Sequence, residues 1–366
     1  MNDHKTSLSL NSITYQENEL ANLCLSKLAS FPLQAWEYSL YDFILQWISD
    51  EGFVKVKTSG STGKPKEIKL DKKAMVESAK LTGGFLKLQK GNKALLCLPM
   101  DFIAGKMMVV RAFVLGLDLF PVEPLGNPLE NINECFDFAA MTPMQVFNIL
   151  NKNIGTDKLN KIKNLIIGGG EISPELESKL ASLENKTYHT YGMTETITHI
   201  ALRKINGKDE NKGFVAMENV LFEQDERDCL IIHIPHISNE KIITNDIIKL
   251  KNKTEFEFIG RYDNVINSGG IKIIPENIEK KLEAFINQRF FVYGIPDEKL
   301  GEKLVLVIEG KPDNKIEKAL EKVPFLKFEK PKKIIFIDKF IETGNGKINR
   351  GKIFSLYQNH ISTSSM

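Results

Sequence analysis

Apolar and polar positions along the chain change period several times, and each change marks a predicted element. Residues 17–50 read as two helices, and in the second Trp36, Leu40, Phe43, Ile44 and Trp47 recur at helical spacing, as a stripe facing a core would. From residue 53 onward short apolar runs alternate with helical patterns. "FVKVK", "ALLCLP", "LDLFPV", "FDFAAM", "NLIIG" and "TYHTYG" read as strands, and "GKMMVVRAFVLG" and "PMQVFNIL" as helices. "SPELESKLASL" opens with a Ser cap and a Pro at the first helical position. Such alternation predicts an α/β fold with a mostly parallel sheet, helices on its faces and ligands at the carboxyl ends of its strands. After about residue 205 the pattern turns β-rich, with "NVLFEQ", "CLIIHI" and "EFEFIG". A smaller α+β unit follows: helix "PENIEKKLEAFI", strands "RFFVYGI" and "KLVLVIEG", helix "NKIEKALEKV" and strand "KKIIFID". The boundary is expected at "GRYDN", giving a large domain over 1–259 and a small one over 260–366.

Composition narrows the class. With 366 residues, 42% hydrophobic, 26% charged and a formal charge of +2, the chain reads as a globular protein with no charge excess demanding nucleic acid. Cys24, Cys97, Cys135 and Cys229 show no paired spacing, which argues against a zinc site or disulfide framework and fits a reducing compartment. The opening "MNDHKTSLSL" lacks an apolar signal core, and Arg111 and Asp118 interrupt the most apolar stretch, "MMVVRAFVLGLDLF". A cytoplasmic location without membrane insertion is expected.

Candidate chemistry lies in the loops. "TSGSTGKPK" resembles a phosphate loop, but Thr58 stands where a Walker motif needs its first Gly, and Pro65 follows Lys64 in place of the magnesium-binding hydroxyl. What remains is a clamp of hydroxyls, glycines and lysines suited to a polyphosphate, or a surface turn. "IIGGGE" offers close backbone approach to a ligand or a plain strand-to-helix turn. "YGMTET" joins an aromatic face, hydroxyls and a carboxylate that could ligate magnesium. "TNDIIKL" sets Asp246 after a strand, as a ribose acceptor or a turn former. "ETGNGKINR" presents Lys347 among flexible residues near the C-terminus.

Taken in order, "TSGSTGKPK", "YGMTET", "TND", "GRYDNVINSGGIKIIPENIE" and "TGNGKINR" resemble the acyl-adenylate-forming (AMP-binding) superfamily over about four-fifths of the chain, Thr58 to Arg350. The resemblance implies that Thr58, Ser59, Gly60, Ser61, Thr62, Gly63 and Lys66 grip the ATP phosphates. It implies that Gly169 and Gly170 line the adenine and acyl pocket, Tyr191 stacks on adenine with Gly192 also binding the nucleotide, Thr194 reaches the α-phosphate and Glu195 holds magnesium. Asp246 and Arg261 would hold the ribose, Asp263 would be the hinge of a mobile C-terminal lid, and Lys347 would bridge carboxylate and phosphate. Gly269, Gly270 and Lys272 would line the thiol channel. The implied activity is an AMP-forming acid–CoA ligase, with ATP, Mg2+ and CoA, and a homodimer is allowed. Asn245 departs from the usual Gly, Ile341 from a frequent Pro, and the short N-terminal region implies a reduced large domain.

Within the superfamily, "LPMDFIAGKMMVVRAFVLGL" and "MTETITHIALR" resemble the o-succinylbenzoate–CoA ligase family of menaquinone biosynthesis. That resemblance implies an aromatic dicarboxylate, whose second anion would meet Lys106, Arg111, His199 or Arg203; Arg111 is equally readable as an ordinary surface residue. The alternatives are a ligase for another aryl or acyl acid, or a nucleotide-binding switch. A switch would need a second acidic metal strand and a hydroxyl after Lys64, and the sequence offers neither.

Overall fold

The computed structural model describes residues 7–57, 67–207, 212–238, 240–342 and 348–363. The two N-terminal helices form as expected, at Glu17–Ser30 and Trp36–Ile48, and the second buries Leu40, Phe43, Ile44 and Trp47. Its C-terminal carbonyls at Gln46, Trp47 and Ser49 each accept from the Lys72 ammonium at 2.7–2.9 Å, a cation meeting the negative end of a helix. Lys72 opens the helix Lys72–Leu86, which Asp71 caps through the amides of Lys73 and Ala74.

A sheet of 13 strands forms the body of the molecule. Its parallel block runs through the strands Ser7–Leu10, Asp118–Pro121, Lys93–Leu96, Phe136–Met141, Ile162–Ile167 and Lys186–Gly192. Parallel pairing stops at Lys186–Gly192; beyond it the β-rich stretch after residue 199 joins the same sheet antiparallel, so the sheet as a whole is mixed. The N-terminal hairpin Ser7–Leu10 with Ile13–Gln16 extends the parallel edge. The strand Ile13–Gln16 is thus an edge strand of the large sheet.

Alternation along the central strands assigns their side chains to two faces. Ala94, Leu96, Phe138, Ala140 and Ile166 pack into a core shared with the N-terminal helices and with Lys72–Leu86 and Ile103–Leu115. Leu95, Cys97, Ala139, Met141, Leu165 and Ile167 pack into a second core with the helices Pro143–Leu150 and Pro174–Ala181. Thr142 and Ser173 cap those two helices, each just before a Pro at the first turn.

After residue 265 the chain forms a separate five-stranded sheet. Strands Phe290–Asp297 and Gly301–Glu309 pair antiparallel over eight positions, and Lys333–Ile337 adds on parallel. Val292, Leu304, Leu306 and Ile308 face the helices Pro275–Leu282 and Lys315–Leu320; Phe291, Val305 and Val307 face the helix Arg350–Thr363. Among the described residues no helix is long and apolar enough to cross a membrane.

Candidate active site

The strand Lys186–Gly192 is the last parallel strand, and the chain leaves it directly into the "MTET" segment. Gly192 is required sterically: a Cβ there would collide with the backbone of Thr198 and His199, which passes close by as the chain doubles back. Glycine at this position sets the turn that carries Thr194 and Glu195, on a single 3-10 turn Thr194–Thr196. Glu195 is exposed, and among the described residues it forms no ion pair.

The next residue, Ile197, has φ +66° and ψ −63°, with the Thr198 amide donating to the Thr196 carbonyl at 2.8 Å. This is a strained γ-turn about a β-branched residue. It reverses the chain so that Glu195 faces solvent while Thr198 and His199 turn inward.

What they meet inside is Arg111. This side chain, on helix Ile103–Leu115, is 2% exposed, which overturns the surface reading. Its Nε donates to Thr82 Oγ1 and its Nη2 to Thr198 Oγ1, both at 3.2 Å. Thr82 also pairs with His199 Nε2 at 3.1 Å, and Ser78 with Thr198 at 2.9 Å. Among the described residues no carboxylate pairs with Arg111. Burial alone pulls its guanidinium down to about 9, and burial beside Arg111 pushes the His199 imidazole well below its usual range, so His199 is neutral at pH 7. Arg111 and His199 thus come together through Thr82. Lys106 lies with its ammonium 4.6 Å from the Phe43 ring centroid. Arg203 is not an available donor: it forks onto Glu177 at 2.6 and 2.9 Å and holds that carboxyl below the usual range.

The expected ribose residues form a second, opposite kind of cluster. Asp246 lies inside the strand Ile242–Asn252, not after a strand as expected, directly across from Arg261 on Glu255–Arg261. Buried Asp246 accepts from the Tyr191 hydroxyl at 2.5 Å and from Arg261 Nη1 at 2.8 Å. Arg261 Nη2 donates to Asp263 at 2.8 Å. Burial and the Asp246 carboxylate raise the Tyr191 phenol well above its usual range, so it stays protonated as a donor. The Tyr191 ring packs on Phe256 and Phe214, at centroid distances of 5.0 and 5.7 Å.

His189, two residues before Tyr191 on the same strand face, was not anticipated. Its Nε2 donates to the Gly170 carbonyl at 3.1 Å, fixing the tautomer, and burial with Arg203 lowers the ring to about 4. The period-2 pattern was the available signal, since it puts His189 beside Tyr191. Of the three glycines above it, Gly168 is crowded by the Thr190 hydroxyl and Gly169 needs φ +82°, so sterics explain these two. Gly269 and Gly270, at φ +59° and +82°, close the hairpin Ile266–Ser268 with Ile271–Ile273, which also carries exposed Lys272. Thr58, Ser59, Gly60, Ser61, Thr62, Gly63, Lys66 and Lys347 lie outside the described residues; the strands Phe53–Lys57 and Glu67–Asp71 that flank the first group pair with each other.

Residues 56–219 match the family model described as AMP-binding enzyme. An acyl-CoA synthetase (AMP-forming)/AMP-acid ligase II-like protein from Dyadobacter fermentans is 34% identical, with 92% of this chain and 97% of that chain covered at a TM-score of 0.62. The chain belongs to the AMP-binding family of AMP-forming acyl-CoA synthetases. This synthetase is also 24% identical to the 2-succinylbenzoate–CoA ligase of Enterococcus faecalis, over 81% of this chain and 68% of that protein. The o-succinylbenzoate coenzyme A synthetase of Bacillus subtilis, solved with ATP and magnesium ion, shares the fold: TM-score 0.70 at 16% identity, covering 94% of the synthetase and 96% of that chain.

Membership makes the synthetase an AMP-forming acid–CoA ligase, and its two clusters differ in charge. The group at Asp246 is internally ion-paired, whereas Arg111 meets hydroxyls and, among the described residues, no carboxylate.

Proposed function

We propose that the synthetase activates an aromatic dicarboxylate, o-succinylbenzoate, to its CoA thioester through an acyl-adenylate, as a step toward menaquinone. One observation carries this reading: a guanidinium 2% exposed, solvated only by hydroxyls and a thioether, with no carboxylate partner among the described residues. A buried unpaired cation is costly, and an anion delivered by the substrate offsets that cost. A monocarboxylic acid spends its only carboxylate at the phosphorus; a dicarboxylate has a second for Arg111. The names of the Enterococcus and Bacillus relatives support the same choice.

In the first half-reaction a substrate carboxylate oxygen attacks the α-phosphorus of ATP. The bond from phosphorus to the bridging oxygen breaks, and pyrophosphate leaves. Asp246 and Arg261 hold the ribose, the carboxylate through lone pairs that Tyr191 and Arg261 leave open. Tyr191 flanks the adenine with Gly169 and Gly170, and Thr194 reaches the α-phosphate. Thr58, Ser59, Ser61, Thr62 and Lys66 hold the other phosphates. Glu195, an exposed hard-oxygen ligand, would bind magnesium together with phosphate oxygens and water, and the ion would neutralise charge on the leaving pyrophosphate. Lys347 bridges carboxylate and phosphate. The 260–366 unit then turns about Asp263, withdrawing Lys347 and bringing Gly269, Gly270 and Lys272 to the thiol. The CoA sulfur attacks the acyl carbon, the bond to AMP oxygen breaks, AMP leaves and the thiol proton passes to solvent.

The test is a screen of purified protein with ATP, magnesium and a panel of aryl and acyl acids, measuring pyrophosphate and AMP. o-Succinylbenzoate should give the highest kcat/KM, and benzoate, lacking the second anion, a far lower one. Release of γ-phosphate without AMP would sink the adenylation scheme. Lys347→Ala should lower adenylation by roughly 10²–10³-fold while nearly sparing thioester formation from added acyl-adenylate. Equal losses in both steps would refute the two-position role of this lysine.

A further inference from the structure

Asn245 is the residue at which the "TND" segment departs from its family pattern, and its side chain is engaged at both ends. The amide Nδ2 donates to Asp263 Oδ1 at 3.0 Å. The amide Oδ1 accepts from Arg227 Nη1 at 2.9 Å. With Arg261 Nη2 on Asp263 Oδ2, both oxygens of the Asp263 carboxylate are held. Because Arg261 also holds Asp246, the residues Asp246, Arg261, Asp263 and Asn245 form a closed ring, completed by the peptide bond between 245 and 246.

Arg227 anchors this ring from outside. It stands in the turn before the strand Cys229–His233, where Nε and Nη2 both donate to Asp225 Oδ2, at 2.9 and 2.7 Å. Nη2 also reaches the Thr244 carbonyl at 3.2 Å, and the guanidinium lies 5.1 Å from the ring centroid of Tyr262. Tyr262 and Asp263 belong to the 3-10 turn Tyr262–Asn264, the link between the large sheet and the smaller one. One arginine thus braces that link on two routes, through Asn245 and through the Tyr262 ring. A glycine at 245 would offer neither hydrogen bond.

We infer that Asn245, braced by Arg227, is a positioning residue that clamps the hinge carboxylate Asp263 and sets how readily the C-terminal unit leaves its present orientation. The clamp touches neither substrate nor reacting atoms. It acts on Asp263, and the inference rests on the two-half-reaction reading above for its kinetic consequence. Its structural consequence, a stiffer 262–264 link, does not depend on which acid is activated.

The experiment therefore has two arms on the full chain. In the first, amide hydrogen exchange of residues 259–268 is compared between wild type and Asn245→Ala, without ligands. Loss of a partly exposed hydrogen bond to a charged acceptor should speed exchange there roughly three- to tenfold, with the strands Phe136–Met141 and Ile162–Ile167 unchanged. Asn245→Asp keeps the acceptor for Arg227 but sets a second carboxylate against Asp263, so its increase should be larger. Arg227→Met, which leaves the Asn245–Asp263 bond in place, should give a smaller one.

In the second arm, pyrophosphate release and thioester formation from added o-succinylbenzoyl-adenylate and CoA are timed separately. Asn245→Ala should change adenylation by less than about twofold and the thioester step by roughly three- to tenfold, the same factor as the clamp. Unchanged exchange at 259–268 in both Asn245 variants overturns the clamp. Faster exchange with equal changes in both half-reactions confines it to a structural brace and overturns the positioning role. If no acid on the panel is adenylated, the substrate reading fails while the exchange arm still decides the clamp.

Discussion

The two polar clusters solve opposite electrostatic problems. At Asp246, each charge has a counter-charge: Arg261 sits between Asp246 and Asp263, and Tyr191 adds a neutral donor. At Arg111, a full positive charge is deeper in the protein, and its partners are Thr82, Thr198 and the Met108 sulfur. Removing one member of a matched cluster leaves the others uncompensated, whereas removing a lone buried cation removes the uncompensated charge itself. The difference teaches that the first cluster is complete without ligand and contributes to the fold. The second holds a buried cation with no carboxylate partner among the described residues, a deficit that the proposed substrate anion would relieve.

This contrast can be broken most decisively at Arg111. Arg111→Met should lower kcat/KM for a dicarboxylic acid by roughly 10²-fold, the scale for losing one partner of a desolvated ion pair, while leaving the thermal midpoint unchanged or higher. A midpoint that falls by many degrees together with activity would make Arg111 structural and erase the distinction. Asp246→Asn should do the reverse in stability. It loses about 1.5–3 kcal/mol through the Arg261 bond, measured by denaturant unfolding, and raises the KM for ATP by roughly tenfold. Equal stability effects of the two substitutions would show that counter-charges are not what separates the clusters.

A third arrangement lies where the two units of the chain meet. Glu283, just past the helix Pro275–Leu282, has its carboxyl raised to about 7 by burial and by the nearby Glu171 and Glu279 carboxylates. Here the nearby Lys280 ammonium lowers the carboxyl less than burial and the two carboxylates raise it, and protonation is the relief. Because the folded value is raised above the unfolded one, the folded state binds more protons between about 4.5 and 7. The stability this group contributes is present below that window and is lost as pH rises through about 7. Wild type should therefore lose a few degrees of thermal midpoint between pH 5.5 and 8 relative to Glu283→Gln, roughly 1–2 kcal/mol after solvent screening. Parallel pH profiles for the two proteins would show that Glu283 ionises freely. The smallest effect is expected at Tyr191→Phe. Asp246 keeps Arg261 and the ring keeps its packing, so KM for ATP should rise only about two- to fivefold, the value of one hydrogen bond.

Much of this architecture could be read along the chain. Strand–helix alternation from residue 53 and the Ser173 and Pro174 helix start depend on short-range periodicity and capping, which a linear pattern records. Tyr191, Glu195 and Arg261 could be singled out by the composition of their loops and strand ends, whereas Asp246, inside the strand Ile242–Asn252, was placed after a strand. Arg111 was visible as a residue but ambiguous in role. A charge in an apolar helix reads as surface or as anchor depending on what covers it, and the covering elements are Lys72–Leu86 and His199–Lys204. Arg203 looked available for the same reason, until helix Pro174–Ala181 supplied Glu177.

By itself, then, the sequence determined the order of elements, the family motifs and which residue types could carry chemistry, because these are set by neighbours a few positions apart. Tertiary structure alone decided which charges are matched. Thr82 and His199 are 117 positions apart, and Tyr191 and Asp246 are 55 apart, so only the folded sheet brings them within a hydrogen bond. Pairing, burial and the resulting pKa shifts depend on distance in space, which falls off over a few ångströms and has no counterpart in chain separation.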